Sequence, residues 1–599
     1  MTNRSDKRPW APTRRDFLAA TGLTMAELNS VWSSALAQES SGPQSAPSIG
    51  GSRAPNILLI VNDQERYFDR LPGDYRLPGK ERLLQLGTNF TNQQIASCVC
   101  TSSRSNIYNG QHIQQTKMFD NLNYPWVESL STEIPTIGHM MRELGYYSAY
   151  QGKWHLSREL EGADPNAPPK LIGRDLMNSY GFSDYTGIGD SIGMTLGGYL
   201  NDGWISAFSQ RWLRNRGKIL NDDGQPWFLA VNFVNPHDVM FYNTDLPGEP
   251  IQDTGLPSGR IKREPDYGLY RQQWDLGLAE SRNQSWDGVD RPQAHHNFQK
   301  ARAALVGQFP NEDGRWRRLQ NFYLNCIQDV DRHILGVIDE VDALGMLDNT
   351  IIVRTADHGE LAGAHGMHGK GATAYREQNH VPMHVVHPDV GGGRSCAALT
   401  SHMDILPTLV SMAGGDESKK SEMLDRLKGR NFSRLLDSPG TAGVNEVREA
   451  TLYNFNMFSY VDPEFTINGM RLAQELGPVE GPKEMNRLGL KPDLLNLRGA
   501  IRTVFDGRYK FSRYFAPLQH NKPQTMEQLT SRNDLELFDH RDDPNETANL
   551  AVDVERGHDL IMAMNGKLNA IIEEEVGVDD GSLLGLSVET EYGFSKVDI

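Results

Sequence analysis

The chain is short of cysteine, of positive charge and of long apolar runs. Its 599 residues include four cysteines, too few for a disulfide framework in a chain of this length. Two of them, Cys98 and Cys100, lie one residue apart, so cysteine is concentrated where packing alone gives no reason for it. Cys326 falls in an apolar helical pattern and Cys396 beside a strand, and both read as buried core thiols. The net charge of −17 leaves no basic surplus for phosphate backbones, so nucleic acid is not an expected partner. No segment reaches the roughly 18 uncharged apolar residues that span a bilayer, so stable membrane insertion is not expected.

What is present begins at the N-terminus. Residues 13–20, "TRRDFLAA", set Arg14 and Arg15 ahead of Phe-Leu, and Ala35-Leu36-Ala37 follows as a small-residue cleavage site. Residues 1–37 resemble a bacterial twin-arginine export signal, which implies a periplasmic or secreted protein and the twin-arginine machinery as a partner. Residues 38–54 read as a Ser/Gly/Pro linker.

Over residues 55–444 one shape recurs. An apolar run from Ile57 to Val61 ends at Asp63, "GYYSAYQGKWH" ends at Lys153 and His155, "WFLAVNFVNPHD" delivers His237, and "NTIIVRTADHGE" delivers Asp357 and His358. Continuous apolar runs with polar ends predict buried parallel strands, and the helical patterns between them predict an α/β fold with helices on both faces. In such sheets ligands bind beyond the carboxyl ends of the strands, so four strands releasing acids, histidine or lysine there predict one site. Residues of about 245–310 lack a clean period and read as an insertion. Residues 445–599 read as a smaller unit and tail, with a hairpin turning at Asp506-Gly507. The apolar end of the tail suggests docking on a second copy of the chain.

The segment at Cys100 reads Cys-Thr-Ser-Ser-Arg. A hydroxyl-rich turn entering a helix points N–H groups at whatever lies above it, and Arg104 adds a planar, permanently charged donor for sulfate or phosphate oxygens. This segment resembles the sulfatase signature Cys-x-Pro-Ser-Arg. "NILLIVNDQ", "GKWHLS", "NPHD", "NTIIVRTADHGELAGAHGMHGKG", "DILPTLVSMAG" and "LFDHRDDPNETANL" resemble the family's other landmarks, in family order, from about residue 55 to 555. The resemblance implies an alkaline-phosphatase-like fold, with a large mostly parallel sheet between helices and a smaller C-terminal α+β subdomain carrying an antiparallel sheet.

It also implies a mechanism. Cys100 becomes formylglycine by the action of a formylglycine-generating enzyme, and one hydroxyl of its hydrate attacks the ester while the other lets the aldehyde re-form. A divalent metal is held by Asp63, Cys100, Asp357 and His358, with calcium the expected ion and manganese or zinc the alternatives. Arg104, Lys153 and Lys370 supply fixed positive charge, and His237 protonates the leaving oxygen. His155 orients the nucleophile or touches an ester oxygen, and Gln64 and Asn121 are substrate contacts.

Taken singly, several of these residues have plainer readings. Asp357-His358 before glycine is a common strand-end cap, Asp331 reads as structural, Cys98 as packing, and His295, His296, His365 and His368 as loop residues. Ser102 stands where the signature has proline. Asp63-Gln64 and Asp357-His358 look more like the choline sulfatase and phosphonate monoester hydrolase branch than like arylsulfatases. The expected activity is hydrolysis of a small sulfate ester. The alternatives are a phosphonate monoester or phosphodiester hydrolase using the same residues, and an inactive anion-binding relative.

Overall fold

The apolar run at residues 57–61 forms the middle of strand β1 (Asn56–Asp63), every residue of which is buried. A strand without polar alternation has both faces covered. In this computed structural model Ile57, Leu59 and Val61 enter one apolar core and Leu58 and Ile60 the other, the two-residue period of a strand. Each such side chain contributes about 1.5–3 kcal/mol by leaving water. The structure describes residues 53–584 apart from 123–125, 161–173, 188–194, 253–260, 287, 289 and 459. The twin-arginine segment, most of the linker, part of the insertion and residues 585–599 of the tail lie outside the described residues.

The remaining strands of the large sheet are β2 (Thr88–Gln94), β3 (Tyr147–Gly152), β4 (Asp184–Thr186), β5 (Trp227–Pro236), β6 (Thr350–Ala356), β7 (His380–Val386), β8 (Arg394–Cys396) and β9 (Thr400–Ser401). They run in the order β4-β3-β5-β1-β6-β7-β2-β8, with β9 beside β2. From β4 to β6 all pairings are parallel, whereas β7 is antiparallel to both neighbours. The order sets the carboxyl ends of β3, β5, β1 and β6 side by side, so the four polar strand ends read from the sequence converge on one edge.

The helices that matter for the site are α1 (Pro78–Leu86), α2 (Cys100–Asn109), α3 (Gly197–Trp212), α4 (Gln293–Val306), α5 (Asp313–Ala343) and α6 (Val554–Glu575). The apolar face of α5, from Val330 to Val341, packs on the sheet beside Leu229, Val231 and Ile352. Asp331 projects from the same helix and accepts the Gly79 and Lys80 N–H groups at 2.8 Å. It therefore caps the free start of α1, a structural role. Cys98, Cys326 and Cys396 are buried, unpaired thiols.

A second sheet, antiparallel in the order β10 (Thr451–Asn456), β11 (Ala500–Phe505), β12 (Tyr509–Phe515), β13 (Asp534–Asp539), lies in the C-terminal part. The β11–β12 hairpin turns through Asp506-Gly507, with Gly507 at φ 90°. Helix α6 covers this sheet, setting Ile561, Met564 and Leu568 against Leu452, Val504 and Phe511.

Two expectations change. The insertion is not without period, since its last part is α4, and His295 and His296 lie on that helix rather than in a loop. Ala294, Phe298, Ala301 and Leu305 supply its buried stripe, but interleaved His, Asn and Gln obscure the period. His365 sits in a short 3-10 turn, Ala364–Gly366, while His368 is in irregular chain.

Candidate active site

β1 pairs with β6 through Asn62 and Ala356, and the Asp357 N–H continues the pairing by donating to the Asn62 carbonyl at 3.0 Å. Asp63 and Asp357 therefore emerge together. On the other side β3 meets β5 at Gly152 and Asn232. A Cβ at Gly152 would stand 2.1 Å from the Asn232 carbonyl oxygen, so glycine permits this close approach, after which Lys153 turns into the site. Gln64 at φ 71° and His155 at φ 59° adopt backbone conformations that non-glycine residues rarely hold without support. Both are among the residues expected at the site.

Helix α2 brings Cys100 to the same place. All ten of its residues are buried, and its positive N-terminal end faces the strand ends. The Cys100 Sγ lies 2.9 Å from Lys370 Nζ, 3.3 Å from His358 Nε2 and 3.7 Å from Asp63 Oδ1. Asp63 forms ion pairs with Lys153 Nζ at 2.6 Å and Arg104 Nη2 at 3.6 Å. Arg104 also donates to Asp357 Oδ2, the Lys153 carbonyl and Asn232 Oδ1, each at 3.1 Å. Lys370 donates to Gln64 Oε1 at 2.8 Å. Asn121 borders the start of α2, accepting from the Thr101 N–H at 3.5 Å. The His155 carbonyl accepts from Thr101 Oγ1 at 3.0 Å. His237 begins the 3-10 turn after β5, close enough for its charge to act on Asp63.

The charges are strongly coupled. Burial alone would raise the Asp63 carboxyl, but Lys153, Lys370, His237 and His358 together hold it well below the usual carboxylate range. Burial, aided by Lys370, lowers the His358 imidazole to about 4 against the pull of Asp357 and Asp63, which leaves a neutral ring with a free lone pair. Lys370 stays above its ordinary range, because Cys100 and Asp63 outweigh the burial that would lower it.

Asp63, Cys100, Asp357 and His358 each offer a ligand atom within 4.8 Å of the others, all buried. Two carboxylates and a neutral imidazole are the donors a divalent cation takes, so the residues present fit such an ion. A second group, His365, Glu377 and Glu546, is similarly close. There Lys510 Nζ lies 2.6 Å from Glu546 and already supplies the positive charge.

Two residues outside the expected set shape the site. Asn232 accepts from Tyr108 Oη at 2.6 Å as well as from Arg104, which fixes the guanidinium plane. Its signal was a lone amide within the apolar run of β5. Glu360 accepts from Gln64 Nε2 at 2.5 Å and from the Gly369 N–H at 2.6 Å, so it holds the loop that carries Lys370. Nothing in the local sequence distinguishes it from a surface acid.

The chain is similar to known proteins over much of its length. A family profile described as Sulfatase matches residues 55–415. The chain is 26% identical to a choline-sulfatase of Rhizobium meliloti over 60% of its own length and 68% of the relative's. It is 24% identical to an N-acetylglucosamine-6-O-sulfatase of Bacteroides thetaiotaomicron, covering 67% and 74%. Its fold is similar to that of a phosphonate monoester hydrolase from Silicibacter pomeroyi, with a TM-score of 0.58 and 20% identity over 91% of this chain and 99% of that one.

Proposed function

Because the chain belongs to the sulfatase family, within the alkaline phosphatase superfamily, we propose that it cleaves sulfate esters with Cys100 converted to formylglycine. The carrying observation is the position of the Cys100 Sγ, within 2.9–3.7 Å of Lys370, His358 and Asp63. The thiol stands where the hydroxyls of a hydrated formylglycine would lie. That hydrate and a divalent cation held by Asp63, Asp357, His358 and position 100 would supply the nucleophile and polarise the ester oxygens. The carboxylates suit calcium, whereas the imidazole among the donors makes manganese or zinc the alternatives, and elemental analysis of the purified protein distinguishes the three.

The side chains do the rest. Arg104, Lys153 and Lys370 are fixed cations whose positions are set before substrate arrives, so they stabilise the charge that develops on the ester oxygens without reorganising. Gln64 holds the Lys370 ammonium, and Asn121 stands where a substrate hydrogen bond can form. His155 orients the start of α2 through its carbonyl. His237 is the group for protonating the departing oxygen, because an imidazole gives up a proton near neutral pH.

Ser102 is compatible with this reading. It lies in the first turn of α2, where the helix ladder needs no N–H from it, so serine and proline both allow the helix to start.

The deciding experiment is the mass of the tryptic peptide Leu83–Arg104. A peptide lightened by exchange of the Cys100 thiol for an aldehyde supports the proposal. An intact, alkylatable thiol in protein from its native compartment sinks it and favours an inactive anion-binding relative.

A second reading uses the same residues on phosphorus. The Asp63-Gln64 and Asp357-His358 pairs favour it, and fixed cations around a tetrahedral centre do not themselves distinguish sulfur from phosphorus. Turnover of an aryl sulfate against an aryl phosphonate and a phosphodiester in one preparation separates the two. We also place the protein in the periplasm or outside the cell on the strength of Arg14-Arg15. Replacing both by lysine should leave it in the cytoplasm, and unchanged export would refute the assignment.

A further inference from the structure

The segment that carries His237 is fixed by two buried aspartates that hold each other's elements. β5 ends at Pro236 and the chain turns directly into the 3-10 helix His237–Phe241. Asp202, projecting from α3, accepts the Val234 N–H at 2.7 Å with one oxygen and the Asn235 N–H at 2.9 Å with the other. Asp238, on the turn itself, accepts the Gly198 and Tyr199 N–H groups, both at 2.9 Å. Those two donors belong to the start of α3, where N–H groups have no partner inside the helix. Both aspartates are buried. Glycine at 198 lets the elements meet, since a Cβ there would lie 2.2 Å from the Asn235 side chain.

Four hydrogen bonds therefore tie the chain on both sides of His237 to α3. All four run to backbone groups, so these carboxylates fix geometry rather than move protons. A proton donor is effective only within hydrogen-bond reach of the departing oxygen, and a misplacement of about 1 Å can cost on the order of a hundredfold in rate. Resting on the reading of His237 as that donor, we propose that Asp202 and Asp238 are positioning residues that hold His237 for protonation of the leaving group.

The test compares the wild type with Asp202→Asn, Asp238→Asn and His237→Ala on two sulfate esters. One has a nitrophenol leaving group, which departs without a proton, and the other an unactivated alcohol, which needs one. His237→Ala should lose about a hundredfold or more in kcat/KM on the alkyl ester and little on the aryl ester. Each asparagine variant should show the same selectivity, losing at least about tenfold on the alkyl ester and adding little further loss when combined with His237→Ala.

A purely structural role would lower both substrates by one factor, so equal losses, or none, would overturn the proposal. If His237→Ala itself loses equally on both esters, the assignment of His237 falls and takes this proposal with it. A wild type that turns over neither ester would instead refute the sulfatase reading. Should the asparagine variants fail to fold, amide exchange in the wild type still decides. Gly198, Tyr199, Val234 and Asn235 must be protected like core strands, and rapid exchange there would overturn the clamp.

Discussion

At the scale of single residues, Arg104 shows why charge alone does not define the site. Its guanidinium reaches a carboxylate, a backbone carbonyl and an amide oxygen at once, each at 3.1 Å. A lysine ammonium on a flexible stem cannot reproduce that fork. Arg104→Lys should therefore lower kcat/KM for an aryl sulfate by about a hundredfold, although it keeps the charge; a loss under threefold by steady-state kinetics would show that charge suffices. Ser102 offers the opposite case. Its buried hydroxyl has no partner among the described residues, and helical backbone already suits proline. Ser102→Pro should leave stability within about 1 kcal/mol of wild type, as read by denaturant unfolding. Arg104 was legible in the sequence because its spacing from Cys100 is local. Asn232, which aligns it, was not, because its partners come from α2, far away in the chain.

At the scale of elements, two buried glutamates tie the C-terminal part to the site from opposite electrostatic positions. Glu536 on β13 accepts from Tyr375 and Tyr514 hydroxyls at 2.6 Å. Burial pushes it up to about 7, against the pull of Arg291. The folded state thus holds a proton that the unfolded chain releases near 4.5, so this contribution is full below that pH and is lost as pH rises through 7. Glu536→Gln should remove the loss, and its stability relative to wild type should improve between pH 4.5 and 8 by on the order of 3 kcal/mol.

Glu575 on α6 is the reverse. Burial would raise it, but Arg448 at 3.0 Å and His112 at 2.8 Å hold it at about 2. Its contribution is present above about 4.5 and lost as pH falls towards 2. Glu575→Gln should accordingly cost about 3 kcal/mol at pH 7, and progressively less in acid. Unfolding curves collected across both windows check the two signs together. The strands and helices carrying these acids were partly legible, but their pairing was not, because each bond joins segments far apart in sequence.

At the scale of the whole molecule, the antiparallel sheet supports the chain that leads into Cys100. The Asn454 N–H donates to the Ala96 carbonyl at 2.9 Å, and Ser97 Oγ donates to the Asn454 carbonyl at 2.5 Å. These bonds seat β10 against the chain just before Cys98 and Cys100. Tyr453 Oη receives Gln378 Nε2 at 3.0 Å, which steadies the segment that follows Lys370. A chain ended at residue 444 should therefore show neither a cooperative unfolding transition nor sulfate ester hydrolysis, whereas the complete chain should unfold in one transition by calorimetry. Two separate transitions in the complete chain would show that the sheet is an independent appendage.

The sequence by itself determined the strand ends. A largely apolar run must be buried, and the chain leaves the sheet within a few residues of turning polar, which sets Asp63, Lys153, His237 and Asp357 at or just past strand ends. It also determined that α2 begins beside Cys100, because Arg104 and the hydroxyl residues form one local pattern. Only the tertiary structure decided that β3, β5, β1 and β6 are neighbours in that order, which turns four separate strand ends into one site. It alone supplied Asn232, Glu360, Asp202 and Asp238, whose work is to bind groups distant in the chain. Burial and strand polarity depend on each residue and its near neighbours, whereas adjacency depends on which of many compatible strand orders packs best, and no local stretch of sequence records that.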